Sequence, residues 1–422
     1  MHNFLPLPKL WWRNATIAAF IFAALFPTVR AFIFGDAAGS TFLSIGFSIL
    51  ADLIFASIAS YCLYSLYAKK QLDKIDLIFL GYIAFSVIYG SILSHHKMAI
   101  IYGFRMTYLP MFMYFVGRNA TMNEVGADLL KKMMLLVSAI AIVGLLLYFP
   151  FHNVYLYIIS LNHDYEFEHQ LVPRMTSLFY TPLVFSSVVA FASLYYLILY
   201  RKNNSKMDLL LFILNGVCLI LSISRGAILA FIIMIPVFLF LLNGFKKIIL
   251  PLITVLTIAT LCINAISPKK DAFFLFGFIM KSSVNTMEMG DHIKRVDFWT
   301  TSVTDFKSHP MGFGLGKSGH VANRLFKDTD VPAAIYANDG WYLKLLLETG
   351  IPGFLFFVLL MFFIINSVLQ IQNSYDKAFF LCLLLIIGFQ SIVSNVPDFT
   401  FASFFLWLVI GLRSDNSKRS II

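Results

Sequence analysis

Three arginines stand where the surrounding sequence offers a charge little water. Arg105 lies in an apolar run at 99–117, Arg174 follows Pro173 at the head of another at 175–200, and Arg225 sits in Leu221-Ser222-Ile223-Ser224-Arg225-Gly226-Ala227 between two more. A charged side chain at mid-membrane depth costs at least about 2.5 kcal/mol on insertion scales, so such a residue points to function unless snorkelling carries it to the interface. The guanidinium group is a rigid planar fork that bonds phosphate oxygens in pairs. Arginines gathered at one membrane boundary therefore suit a diphosphate head group, whose charge they would stabilise as it leaves.

A second set of chemistry-bearing residues lies in the polar stretch 267–340 and just beyond it. Asp291-His292-Ile293-Lys294-Arg295-Val296-Asp297-Phe298-Trp299 has the character of an amphipathic helix, and His309-Pro310-Met311-Gly312-Phe313-Gly314-Leu315-Gly316 must turn. The stretch closes on Asn338-Asp339-Gly340-Trp341-Tyr342. Asp339 suits a general base; Asn and Asp also cap helices and Asp-Gly favours turns, a role compatible with the first. Trp299 and Tyr342 suit either stacking on sugar rings or anchoring at the interface. Glu348 with Gly350-Ile351-Pro352-Gly353 marks the junction where a surface helix enters a span, and Asp398 lies in the loop between the last two spans. The patch His163-Asp164-Tyr165-Glu166-Phe167-Glu168-His169 has no strong zinc spacing, so neither a metal nor a cofactor is expected.

The elements that must carry these residues follow from composition. The chain is 59% hydrophobic and 13% charged, with a mean hydropathy of +0.81. That is too apolar for a soluble globular protein, whose charged fraction is about 25%. A helix needs about 20 apolar residues to cross the hydrocarbon layer and satisfies its own backbone; the alternation of a membrane barrel is absent from runs such as 379–389. Twelve spans are expected, at about 14–34, 41–67, 77–94, 99–117, 132–150, 175–200, 209–224, 226–244, 248–266, 350–369, 378–394 and 400–412. The first has no small-residue cleavage site and is expected to be retained.

Charge sets the orientation. With both termini cytoplasmic, the inside segments hold Lys9, Arg13, Lys69, Lys70, Lys74, Arg118, Lys131, Lys132, Arg201, Lys202, Lys206, Lys246, Lys247, Lys377, Arg413, Lys418 and Arg419. The short outside loops at 35–40, 95–98, 151–173 and 395–399 hold only Lys97. The positive-inside rule then puts residues 267–340 outside, with Arg105, Arg174 and Arg225 in the outer layer of the bundle. The net charge of +10 is thereby mostly topogenic, and no basic stripe with interleaved aromatics argues for nucleic acid. No GxxxxGK[ST] loop is present for a cytoplasmic nucleotide. The four cysteines, each inside an apolar run, read as packing residues.

Taken in order, Arg174-Met175-Thr176-Ser177-Leu178-Phe179-Tyr180-Thr181-Pro182, Ser224-Arg225-Gly226, Arg295 and Trp299 ahead of His309-Pro310-x-Gly312-x-Gly314, and Trp341-Tyr342-Leu343-Lys344-Leu345-Leu346-Leu347-Glu348-Thr349-Gly350-Ile351-Pro352-Gly353 resemble the bacterial O-antigen ligase and O-antigen polymerase superfamily. The motifs span roughly 170–365. The resemblance implies a C-type glycosyltransferase-like membrane fold and metal-independent inverting transfer from an undecaprenyl-diphosphate-linked glycan. It implies that Arg225 and Arg295 hold the diphosphate. Ligases of the family carry a histidine three residues before the Tyr-Leu pair, proposed to activate the acceptor hydroxyl; this chain has Asp339 there, then Gly340 where ligases usually have asparagine. That departure favours the polymerase branch.

The expectation is an all-α polytopic membrane protein of about twelve transmembrane helices: helices 1–9 over 1–266, an external helical loop domain over 267–349, and helices 10–12 with a cytoplasmic tail over 350–422. It would sit in the bacterial inner membrane and polymerise undecaprenyl-diphosphate-linked oligosaccharide repeats of O-antigen, capsule or exopolysaccharide on the outer face. Its partners would be lipid-linked donor and acceptor, the bilayer and a chain-length regulator. Arg225, Arg295, Arg174 and Arg105 would bind diphosphate, Asp339 would act as base, and Trp299 and Tyr342 would contact sugar. The rivals are a ligase moving glycan to lipid A core or protein, and a polytopic transporter or flippase. Related transporter halves are not apparent, because the large insertion has no counterpart in the first half.

Overall fold

A computed structural model describes residues 11–34, 42–160, 174–179, 181–242, 249–250, 252–258, 295–319, 322, 340–413 and 421. The helices are α1 (Trp11–Phe34), α2 (Phe42–Ala68), α3 (Lys74–Ser94), α4 (Lys97–Gly103), α5 (Met113–Met122), α6 (Gly126–Tyr148), α7 (His152–Ser160), α8 (Pro182–Asn203), α9 (Lys206–Leu221), α10 (Arg225–Leu242), α11 (Arg295–Ser308), α12 (Trp341–Leu369), α13 (Ser374–Val393) and α14 (Thr400–Gly411). No strand occurs among the described residues. The all-α, multi-span reading holds: eight of these helical stretches are long and apolar enough to cross a membrane, α4 to α5 counting as one from Lys97 to Met122. The ninth expected span, 248–266, falls largely outside the described residues.

Consecutive spans run antiparallel, which gives the bundle two ends. The turns after α3, α9 and α13 lie at one, here termed the loop end; those after α2, α5, α8 and α12 lie at the other, the tail end. One boundary departs from expectation. The run at 175–200 becomes helical only at Pro182, because Thr181 caps the helix by accepting the Leu183 amide at 3.2 Å and Pro182 needs no hydrogen-bond partner in the first turn. Residues 174–179 are thereby left as a non-helical segment at the loop end.

The centre of the bundle is α14. Its Phe401 and Phe404 rings meet Phe20 of α1 at 5.4 Å and Phe55 of α2 at 4.1 Å. Its Trp407 meets Phe79 of α3 at 5.4 Å, and Phe405 stacks on Phe191 of α8. Lipid tails are as apolar as leucine, so membrane helices associate through close packing at small residues. At the crossing of α5 and α14 both helices use glycine: a Cβ on Gly411 would lie 2.0 Å from the Tyr114 carbonyl oxygen, and one on Gly117 2.1 Å from that of Leu408.

Ion pairs close the tail end. Asp73 and Asp76 form a capping box at the start of α3, and Asp76 also accepts the Tyr114 hydroxyl at 2.6 Å and Arg118 Nε at 3.1 Å. Arg118 reaches Asp73 at 2.8 Å, as does Arg413 at 3.2 Å, with the Arg413 guanidinium over the Tyr114 ring. Arg118 and Arg413 are fully buried. Deleting one partner of such a buried pair costs about 3–5 kcal/mol, because the other charge is stranded. Facing carboxylates draw both arginines inside, where they lock α3, α5 and the end of α14 together.

Candidate functional site

Arg174 and Arg225, both singled out in the sequence, lie at the loop end, and local features hold the backbone of each. Between α9 and α10 the chain turns in three residues. Ser222 Oγ donates to the Leu219 carbonyl at 2.6 Å, and the amide of Ile228 bonds the Ser224 carbonyl at 2.9 Å, starting α10 at Arg225. The turn holds Ile223 at φ +51, a left-handed backbone that β-branched residues rarely adopt, and Ile223 is buried. Such strain persists only where its surroundings enforce it and gathers at functional sites. Arg225 is half-buried at this first helical position.

The segment 174–179 is fastened to the same turn. The Met175 amide donates to the carbonyl of Leu221, the last residue of α9, at 3.1 Å. Tyr155 of α7 donates its hydroxyl to the Arg174 carbonyl and accepts the Thr176 amide at 3.0 Å. Ser177 donates to the Ile140 carbonyl of α6 at 2.6 Å. The backbones that carry Arg174 and Arg225 are thus joined at one end of the bundle, although the residues are 51 positions apart.

Arg105 lies deeper, in a π-helical turn at Phe104–Tyr108 closed by the Leu109 amide on the Phe104 carbonyl at 2.9 Å. The wide turn carries one extra residue and so faces two ways. Arg105 Nε is ion-paired with Asp52 of α2, which sequence reasoning overlooked. Thr107, on the same turn, meets α12 instead.

The glycine loop is the largest structural device here. Residues 310–319 leave α11 and thread between the α3–α4 turn and the start of α12. Phe313 and Gly314 donate backbone amides to the carbonyls of Leu347 at 2.7 Å and Glu348 at 3.1 Å, while Leu315 donates to Gly90 of α3 at 2.9 Å. Two glycines make that threading feasible. Gly314 and Gly316 have φ of +100 and +76, and a Cβ would lie 2.2 Å from the Ser94 amide nitrogen in the first and 1.9 Å from the Ala99 carbonyl oxygen in the second. Gly316→Ala is expected to destabilise the protein by about 3 kcal/mol or more, left-handed strain and overpacking acting together. A lowered thermal midpoint in detergent would register this; an unchanged midpoint would contradict the seating of the loop.

Under the loop lies a cluster of buried charges that the sequence reading did not assemble. Lys344 is fully buried on the first turns of α12, and its Nζ donates to Asp398 Oδ2 at 2.8 Å and to Thr107 Oγ1 at 2.7 Å, with Glu348 Oε1 at 3.9 Å. Glu348 Oε1 accepts the Gly316 amide at 3.1 Å. Asp398 closes the 3-10 turn Val396–Asp398, and Asn395 at the head of that turn accepts the Gly340 amide on Oδ1 at 3.3 Å. α12 bends at Gly350, whose φ of +63 separates the buried first turns from the span proper. Glu348 is therefore more than a junction residue: it ties the glycine loop to α12.

The remaining candidates are placed as follows. Arg295 opens α11 and Trp299 lies one turn on, but their side chains are outside the described residues, and so is Asp339. Gly340, next in sequence, is buried and held by Asn395. Tyr342 packs with Trp341 and Phe357 and lines a narrow pocket between α12, α13 and α14 with Gly388, Ser391 and Trp407. No group of three or more His, Cys, Asp or Glu side chains that could hold a metal occurs among the described residues.

No curated protein matches the chain. The family model described as O-antigen ligase matches residues 210–358. That range runs from α9 into α12 and takes in Arg225, Arg295, the glycine loop, Asp339, Lys344 and Glu348. The helical, multi-span fold and the charged loop end accord with that match, which supports a relation to the O-antigen ligase and polymerase superfamily, membrane glycosyltransferase-like enzymes of glycan assembly.

Proposed function

We propose that this protein polymerises undecaprenyl-diphosphate-linked oligosaccharide repeat units at the outer face of the bacterial inner membrane, with both termini in the cytoplasm. The observation that carries the reading is the Met175 to Leu221 hydrogen bond, which brings the backbones of Arg174 and Arg225 to the end where Gly340, and hence the start of α12, is fastened. Arg225 and Arg295, with Arg174, grip the diphosphate of the donor chain. Arg105 joins them only by exchanging its partner Asp52, so its part follows substrate binding. Trp299 and Tyr342 contact the sugars of donor or acceptor.

In the reaction Asp339 takes the proton of an acceptor sugar hydroxyl, and that oxygen attacks the donor anomeric carbon. The bond from that carbon to the diphosphate oxygen breaks, and its electron pair leaves with undecaprenyl diphosphate. The arginines stabilise the charge developing on the leaving group, and the proton on Asp339 passes to water. Aspartate at the position where ligases carry histidine supports a second lipid-linked repeat, rather than lipid A core or protein, as the acceptor.

The test supplies purified protein in proteoliposomes with lipid-linked repeat alone. A ladder of polymer on a gel is expected. Transfer only after lipid A core or an acceptor protein is added would replace the polymerase reading with the ligase. Movement of a labelled solute by wild type and by an Asp339 variant alike would replace both with a transporter.

A further inference from the structure

We infer that Tyr155 is a positioning residue for donor binding: its hydroxyl fixes the peptide of Arg174, and so sets where that guanidinium meets the diphosphate of the lipid-linked donor. The inference rests on the reading of Arg174 as a diphosphate ligand.

Residues 174–179 form no helix, so their amides and carbonyls need partners from elsewhere, and inside a membrane bundle water is scarce. Three helices supply them. The Leu221 carbonyl at the end of α9 takes the Met175 amide at 3.1 Å, and Ser177 donates to the Ile140 carbonyl of α6 at 2.6 Å. Tyr155 of α7 does more with one atom: its oxygen donates to the Arg174 carbonyl, accepts the Thr176 amide at 3.0 Å and lies 3.4 Å from Thr176 Oγ1. A single hydroxyl thereby bridges the two peptide groups on either side of Met175, one of them Arg174's own. Met175, Thr176 and Ser177 are buried, whereas Arg174 is half-buried, so the charged side chain of the fastened stretch is the one left with an exit. α6 packs close enough to enforce this, since a Cβ on Gly144 would lie 2.7 Å from that of Ser177, which takes a left-handed φ of +53.

The place of Tyr155 is itself built in. Pro150 follows the end of α6 at Tyr148, where it prevents the helix from continuing, and the chain turns into α7. The Tyr155 ring packs edge-on against Tyr148 at 5.3 Å and is fully buried. Packing holds the ring, so Tyr155→Phe keeps the ring and deletes only the bridge. An arginine on a loose segment must lose backbone freedom when it grips its ligand; one fastened beforehand has already lost it, and the difference appears as affinity. The Met175 bond to Leu221 ties the same segment to the turn that starts α10 at Arg225, so the bridge also holds the two arginine backbones in one arrangement.

Binding of undecaprenyl diphosphate to the purified protein in lipid nanodiscs tests this, with undecaprenol, which lacks the diphosphate, as the control. Tyr155→Phe is expected to weaken undecaprenyl diphosphate binding about 10-fold, the effect of one or two net hydrogen bonds, and to leave undecaprenol binding unchanged. Affinity is read per folded molecule, so a lower yield of the variant leaves the comparison intact. Arg174→Ala is expected to weaken binding at least as much. In that background Tyr155→Phe is expected to add less than about twofold, because no guanidinium remains to be placed. Wild-type affinity in Tyr155→Phe beside a weakened Arg174→Ala overturns the inference, as does a loss that multiplies in full with Arg174→Ala or extends equally to undecaprenol. Wild-type affinity in Arg174→Ala instead removes Arg174 from the diphosphate site, and the reading fails at that residue whatever Tyr155→Phe does.

Discussion

Arg225→Ala is expected to cut turnover about 100-fold or more while leaving the protein at normal abundance in the membrane. Removing one preorganised donor from a developing anion costs about 10²–10³ in kcat in sites of this kind, and a diphosphate that leaves with its bonding electrons is such an anion. Arg225 opens α10, so its amide lies among the first backbone donors of that helix, which favour negative charge at their end. The strained turn at Ile223 is held by the Ser222 hydroxyl on the Leu219 carbonyl at the end of α9. Arg225→Lys is expected to fall between wild type and alanine, because an ammonium keeps the charge but loses the planar fork. The measurement is kcat and KM with purified lipid-linked repeat, beside the polysaccharide ladder of cells carrying each variant. A normal ladder from Arg225→Ala would remove Arg225 from the diphosphate site.

The parts of this molecule that sequence exposes are those where lipid makes the rule strict. Apolar runs must be helices, and an arginine beside them is costly, so the spans and the set Arg105, Arg174 and Arg225 stand out without any tertiary information. What escapes is whatever depends on a partner far along the chain. Lys344 reads as one charge in a leucine-rich segment and Asp398 as a loop acid; their contact needs α12, α13 and the turn after α13 in place. A signal was present nonetheless, since Lys344 and Glu348 stand four apart on one helical face of an apolar segment. Asp52 and Arg105 were equally open to pairing, both lying inside spans. Arg118 and Arg413 read in the sequence only as orienting charges, yet the same sequence places Asp73 and Asp76 beside Lys69 and Lys70, and those carboxylates draw both arginines inside. The non-helical segment 174–179 was legible from Thr181-Pro182, a cap followed by proline, but continuous hydrophobicity outweighed it.

Asp339→Asn is expected to lower kcat by about 10²–10⁴, the span usually attributed to a positioned general base, with little change in KM for the donor. Asparagine keeps the size of the side chain and its capacity to cap a helix, so any structural contribution at the start of α12 survives the substitution. The loss then reports the carboxylate's proton-accepting role alone. Asp339→His separates the two branches of the superfamily. If the position needs only a base within reach of the acceptor hydroxyl, histidine, which ligases carry there, is expected to restore part of the turnover and to move the pH profile upward, since imidazole titrates near pH 6.5 and a carboxylate near 4. Below its pKa the histidine is protonated and cannot accept the proton, so activity of that variant is expected to fall away at a higher pH than that of wild type. A wild-type pH profile in Asp339→His, or full turnover in Asp339→Asn, would show that the base lies elsewhere. The loop end then offers two described carboxylates, Glu348 on α12 and Asp398 on the turn before α14, and Lys344 engages both.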